Sequence, residues 1–168
     1  MIGVLASGEG TNLQALIDAG LPIVAVASDK VGAPALERAR AAGIATERFD
    51  DESATADWLE ERGVCLVVLA GYMRLLSPAF LERFDQIVNV HPSLLPAFPG
   101  LRAIERAVEA GVAETGVTVH LVDEGIDTGP VLRQEPVPVE PRATLVERIH
   151  AVEHRLLPEV VRELCLAR

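Results

Sequence analysis

Aromatic residues are scarce in this chain of 168 residues: four phenylalanines, one tryptophan and one tyrosine leave too few rings for a base-stacking platform. Basic residues are also in the minority, 15 against 25 acidic ones, giving a formal net charge of -10 that opposes binding to nucleic acid or anionic membranes. Two cysteines, Cys65 in an apolar run and Cys165 near the carboxyl end, cannot build a disulfide framework or a metal cluster. The longest apolar runs, such as CLVVLAGYM, fall short of the roughly 20 residues that cross a bilayer. Nor does a basic, then apolar, then cleavable leader follow Met1. These absences predict a cytoplasmic protein that acts on small molecules, with no nucleic-acid or membrane partner. The length predicts one domain over residues 1–168.

Strand-length apolar runs are present, and they alternate with segments of helical period. IGVLA, IVAVAS, CLVVLA and IVNVH read as strands. TNLQALIDAG, PALERARAAG and SATADWLEERG (Ser53 to Gly63) lie between them as helices with cap and stop residues. Two further helices are expected over 78–84 and 103–110. The alternation predicts a parallel βαβ arrangement, a single-domain Rossmann-like α/β fold with helices on both faces. After Gly116, TGVTVHLV and PVLRQEPVPV flank an acidic, glycine-containing loop, which predicts an antiparallel edge toward the carboxyl end. From Thr144 to Leu166, apolar residues recur every three or four positions, predicting a long amphipathic helix kinked near Pro158.

Three stretches carry chemistry. Ser7-Gly8-Glu9-Gly10-Thr11-Asn12 joins the first strand to the first helix, where glycine-freed amides and a helix amino terminus make a phosphate site; the same residues also suit an unliganded tight turn. In Ile87-Val88-Asn89-Val90-His91-Pro92, strand alternation puts Asn89 and His91 on one face. An amide donor beside an imidazole suits stabilisation of a carbonyl-derived oxyanion together with proton transfer. Asp123-Glu124-Gly125-Ile126-Asp127-Thr128-Gly129-Pro130 offers three carboxylates, one of which can orient and charge His91, and spacing does not choose among them. His150 and His154, one helical turn apart, lack an evident third ligand, so no metal is expected. His120 either lines the same pocket or faces a helix layer. No G-x-S-x-G elbow is present, and Cys65 reads as core, so covalent catalysis is not expected.

Together, SGEGTNLQALID, LAGYMRLLSPAFLERF, NVHPSLLPAFPG and GVTVHLVDEGIDTGPVL closely resemble the phosphoribosylglycinamide formyltransferase family, in matching order over nearly the whole chain. The resemblance implies formyl transfer from 10-formyltetrahydrofolate, the co-substrate, to the amine of phosphoribosylglycinamide in purine biosynthesis, by a monomer or homodimer. Asn89, His91 and Asp127 would then be catalytic, with Asp127 supporting His91. Gly10, Thr11, Asn12 and Glu153 would hold the ribonucleotide. The folate would lie against Met73, Arg74, Leu75, Leu76, Asn89, Val90 and the loop Asp123, Glu124, Gly125, Ile126 and Asp127, so that the amino-terminal half serves mainly the ribonucleotide and the carboxyl-terminal half the folate. An arginine that some relatives carry near Ser53 has no counterpart, and Arg74 is its expected substitute. A formyltetrahydrofolate hydrolase or another folate-dependent formyltransferase is the alternative. Methionyl-tRNA formyltransferases share the Asn-x-His-Pro strand but need a further domain and a basic surface, against a charge of -10 here.

Overall fold

The computed structural model describes residues 1–167, so Arg168, the last position of the expected domain, lies outside the described residues. Two compact units divide the chain, Met1–Asn89 and the residues from Val90 onward. Seven strands form among the described residues. The fold is α/β, mostly parallel with an antiparallel carboxyl-terminal pair and helices between the strands, as the sequence predicts.

In the first unit, β1 (Ile2–Leu5), β2 (Ile23–Ser28), β3 (Ala45–Arg48), β4 (Leu66–Leu69) and β5 (Gln86–His91, which ends beyond the unit boundary) pair in parallel in the order β3-β2-β1-β4-β5. β1 and β4 are buried at every position, and such continuous apolar runs are what a parallel strand covered on both faces requires. The helices are α1 (Thr11–Asp18), α2 (Pro34–Ala41), α3 (Glu52–Glu60) and α4 (Pro78–Leu81). Pro34 and Pro78 open α2 and α4, where a missing N–H costs nothing.

Several expectations are corrected. β3 escapes a reading based on apolar runs because Ala-Thr-Glu-Arg is polar and mostly exposed at the sheet edge. α3 begins at Glu52 rather than Ser53, because the Asp51 carboxylate accepts the Ala54 N–H at 2.8 Å and caps the helix one position earlier. α4 stops at Leu81, short of Phe84. Cys65 precedes β4 and is half-buried rather than core, its thiol 3.5 Å from the Met1 carbonyl.

The second unit holds α5 (Ala103–Glu109), β6 (Glu114–Leu121), β7 (Val131–Pro138), a 3-10 turn (Arg142–Thr144) and α6 (Leu145–Leu166). β6 and β7 pair antiparallel from Glu114↔Pro138 to His120↔Val131. α6 packs along both strands through Ile149, Leu156, Leu157 and Val160, and it continues through Pro158 to Leu166.

Candidate active site

The turn after β1 is shaped by Gly10. Its φ of 75° lies in the left-handed region, and a Cβ there would stand 2.7 Å from the Cα of Ala35. Only glycine fits, and α2 can therefore approach the turn closely. Arg38 donates from Nε to the Glu9 carbonyl at 2.7 Å, fastening the same turn. α1 starts without a side-chain cap and with no acidic residue in its first turn, so its amino end keeps its partial positive charge. Thr11 is exposed and Asn12 half-buried at this end.

Ser7 joins this turn to the segment after β4. Its N–H donates to the Gly71 carbonyl at 3.2 Å, its hydroxyl donates to Asp29 at 2.6 Å, and its Oγ accepts the Met73 N–H at 3.0 Å. The carboxyl ends of β1, β2 and β4 are thereby stitched together, the edge at which open α/β sheets take ligands. Beyond them Met73 is 63% exposed and Leu75 67%, while Leu76 is buried. Exposed apolar side chains on a tethered segment are ready to meet an apolar ligand. Arg74 extends to the Asp50 carbonyl at 2.9 Å, which brings its guanidinium close to the start of α3, the neighbourhood of Ser53.

Asn89 and His91 stand two residues apart on β5, half-buried and buried respectively, with buried Val90 between them. His91 Nε2 is 2.8 Å from the Phe98 carbonyl; that oxygen only accepts, so Nε2 carries a proton. The other ring nitrogen, Nδ1, lies 3.3 Å from Asp127 Oδ2. His120 repeats the arrangement, with Nδ1 donating to the Leu121 carbonyl at 2.9 Å and Nε2 3.5 Å from Asp127 Oδ1. One carboxylate thus faces two imidazoles whose remaining nitrogens are already committed as donors. The interaction with His120 is the largest influence on Asp127; burial opposes it, and the Gly100 N–H at 2.8 Å and the charge of His91 reinforce it, leaving the carboxyl at about 2.

The acidic loop separates its three carboxylates by geometry. Asp123 Oδ1 accepts the Thr128 hydroxyl at 2.6 Å and the Gly125 N–H at 3.0 Å, so Asp123 is spent on the loop itself and its carboxyl is lowered chiefly by Thr128. Glu124 is exposed. Asp127 alone of the three turns to the histidines, and it does so with a left-handed backbone, φ 54°. A Cβ at Gly129 would sit 1.8 Å from the Leu121 carbonyl, which accounts for the glycine before Pro130. Ile126 is 53% exposed on this loop.

Glu153 is buried within α6, between Val152 and His154 in sequence. His150 and His154 have ring centres 6.2 Å apart, and burial together with the charge of His150 lowers the His154 imidazole. Sequence reasoning overlooked the brace behind the His-Pro-Ser turn. The Thr118 hydroxyl donates to the Ser93 carbonyl at 2.7 Å and accepts the Leu95 N–H at 3.1 Å, and Gln134 Nε2 donates to both Thr118 Oγ1 and the Leu95 carbonyl. The Thr118-x-His120 alternation in β6, two buried polar residues on one face of a strand, is the signal that could have pointed to it.

Comparison with known proteins defines the class: the chain belongs to the formyl transferase family, whose profile matches residues 1–161. The phosphoribosylglycinamide formyltransferase of Bacillus subtilis (strain 168) is 39% identical over 182 residues, covering 96% of this chain and 92% of that protein. The trifunctional purine biosynthetic protein adenosine-3 of Drosophila pseudoobscura pseudoobscura is 43% identical over 95% of this chain, which spans only 13% of that longer protein. The crystal structure of glycinamide ribonucleotide transformylase 1 from Symbiobacterium toebii superposes with a TM-score of 0.94 at 45% identity, covering 99% of this chain and 88% of that one.

Proposed function

We propose that this protein is a phosphoribosylglycinamide formyltransferase, moving the formyl group of 10-formyltetrahydrofolate to the amine of phosphoribosylglycinamide in purine biosynthesis. The observation that carries this reading is the placement of Asp127 against His91, two residues beyond Asn89 on β5. Relatives that are matched along nearly their whole length and bear the corresponding name support it.

Attack of the neutral amine on the formyl carbon produces a tetrahedral species with a negative oxygen. The Asn89 amide and the His91 imidazolium stabilise that oxygen, a preorganised contribution that bulk water does not supply. Because His91 Nε2 is held by the Phe98 carbonyl, Nδ1 is the nitrogen that exchanges its proton, and ionised Asp127 favours keeping that proton in place until charge develops. His120 shares the same carboxylate and fixes its orientation. As the folate nitrogen leaves with the bonding electron pair, it takes up a proton from the imidazolium, and the imidazole so left takes up the proton that the amine nitrogen gives up.

The uncapped amino end of α1, with Gly10, Thr11 and Asn12, holds the ribose phosphate, and Glu153 receives the glycinamide end. Met73, Leu75, Leu76 and Ile126 provide the apolar contacts for the folate, together with the main chain of Val90 and the loop from Asp123 to Asp127. Arg74, tied near the start of α3, serves the acidic tail of the folate in place of the arginine missing near Ser53. The chain acts as one cytoplasmic formyltransferase domain, monomer or homodimer, on small molecules and without a metal. No helix among the described residues is long and apolar enough to cross a membrane.

A spectrophotometric assay with a dideaza analogue of 10-formyltetrahydrofolate, run with and without phosphoribosylglycinamide, tests this reading. Loss of the formyl group only with the ribonucleotide present is expected. Equal loss without it makes the protein a hydrolase, and no loss in either case refutes formyl chemistry here.

A further inference from the structure

Arg106 lies in the middle of α5 and spends its guanidinium on the main chain of the preceding loop. Nη1 donates to the carbonyls of Pro99 and Leu101, and the guanidinium carbon lies 5.9 Å from the centre of the Phe98 ring. Among the described residues no carboxylate lies within ion-pair distance of it. Its donors are therefore directed to carbonyls, and a planar guanidinium can serve two of these while stacking on a ring.

The residues that Arg106 touches alternate with the two main-chain groups that meet the His91–Asp127 pair. The Phe98 carbonyl accepts His91 Nε2–H at 2.8 Å, and the Gly100 N–H donates to Asp127 Oδ2 at 2.8 Å. The loop is also held in a conformation that its sequence does not favour. Phe98 at φ 51° and Arg102 at φ 57° are non-glycine residues in the left-handed region, on either side of Gly100 at φ 78°. A loop of that kind keeps its shape only when the surrounding contacts over-determine it.

We propose that Arg106 is a positioning residue for the formyl transfer, clamping residues 98–101 so that one carbonyl fixes the proton arrangement of His91 and one amide fixes the carboxylate of Asp127. This rests on the roles given to His91 and Asp127 above. Arg106 touches neither side chain; it acts only through main-chain groups, so its removal should disturb alignment and charge without emptying a binding site.

The test combines long-range proton–nitrogen NMR of the histidine rings in the ligand-free protein with steady-state kinetics, on wild type, Arg106→Leu, Arg106→Gln and Arg106→Lys. In Arg106→Leu the His91 Nε2–H resonance should move upfield as the bond to Phe98 lengthens. kcat should fall roughly tenfold to a hundredfold, as misplacement by up to about an ångström does, while the KM for the ribonucleotide stays at the wild-type value. Arg106→Lys, with a single ammonium, should recover part of both signals. Should the Leu variant fail to fold, the Gln variant, which keeps an uncharged amide NH2, carries the same expectation in smaller degree. Unmoved His91 signals overturn the proposal, as does a kcat loss that merely tracks the folded fraction with no recovery in the Lys variant. Because the ring signals are read without substrate, they report on the clamp even if wild type proves unable to transfer a formyl group.

Discussion

Asp127 Oδ2 lies 3.3 Å from His91 Nδ1, and Asp127 reaches that position only by adopting φ 54° in a loop where the neighbouring acids turn elsewhere. Its second oxygen is 3.5 Å from His120 Nε2, so a single carboxylate organises two rings. Left-handed geometry at a residue with a side chain costs on the order of 1–2 kcal/mol. Here that cost is offset by the hydrogen bonds the carboxylate receives.

Replacing Asp127 with asparagine should flatten the acid side of the stability profile. The carboxyl sits at about 2 when folded, against an ordinary value of 3.8, so the unfolded chain takes up a proton first as pH falls. The stabilisation is fully present above about pH 4 and disappears as pH falls through 2. Denaturant unfolding measured from pH 5 downward should show wild type losing stability more steeply than Asp127→Asn, and parallel curves would remove the depressed carboxyl from the account. In the formyl-transfer assay the same variant should lose activity at neutral pH.

Asn89→Ala removes the side chain proposed to donate to the developing oxyanion. Such losses amount to about 3 to 4 kcal/mol, so kcat should drop by roughly a hundredfold or more. Single-turnover kinetics would check that the loss lies in the chemical step, and a variant within a factor of about two of wild type would deny Asn89 that role.

Thr11→Ala and Asn12→Ala act at the amino end of α1, a region assigned to the phosphate rather than to the reacting atoms. Their expected effect is a higher KM for the ribonucleotide with kcat preserved. Initial rates over a range of ribonucleotide concentrations separate the two quantities, and a pure kcat effect would move these residues out of the phosphate site.

Gly10→Ala should lower stability rather than affinity alone. The added methyl meets the Ala35 backbone at 2.7 Å and the residue must hold φ 75°, so a cost of roughly 2 kcal/mol or more is expected. Thermal unfolding of this variant beside Gly8→Ala, where a Cβ meets nothing within 4 Å, isolates the effect.

How much of this was legible in the sequence differs from element to element. β1 and β4 announce themselves because a parallel strand buried on both faces is apolar throughout. β3 does not, because an exposed edge strand made of Ala45, Thr46, Glu47 and Arg48 has no apolar face to show. Asn89 and His91 could be paired by alternation along one strand, whereas the choice among Asp123, Glu124 and Asp127 depends on how a loop backbone turns, which spacing does not encode. Arg106 was invisible for a related reason: its partners are carbonyls of the main chain, and no pattern of side chains records them.

β3 and β7 also bear on how the protein behaves in a crowded solution. β3 is only four residues long and ends in Glu47 and Arg48, while β7 carries Arg133, Glu135, Pro136 and Pro138. A strand arriving from another molecule would find charges to bury at both and, at β7, prolines with no N–H to offer it. The outer strands are thus poor templates for intermolecular pairing, a protection against aggregation built from residues that contribute nothing to the chemistry.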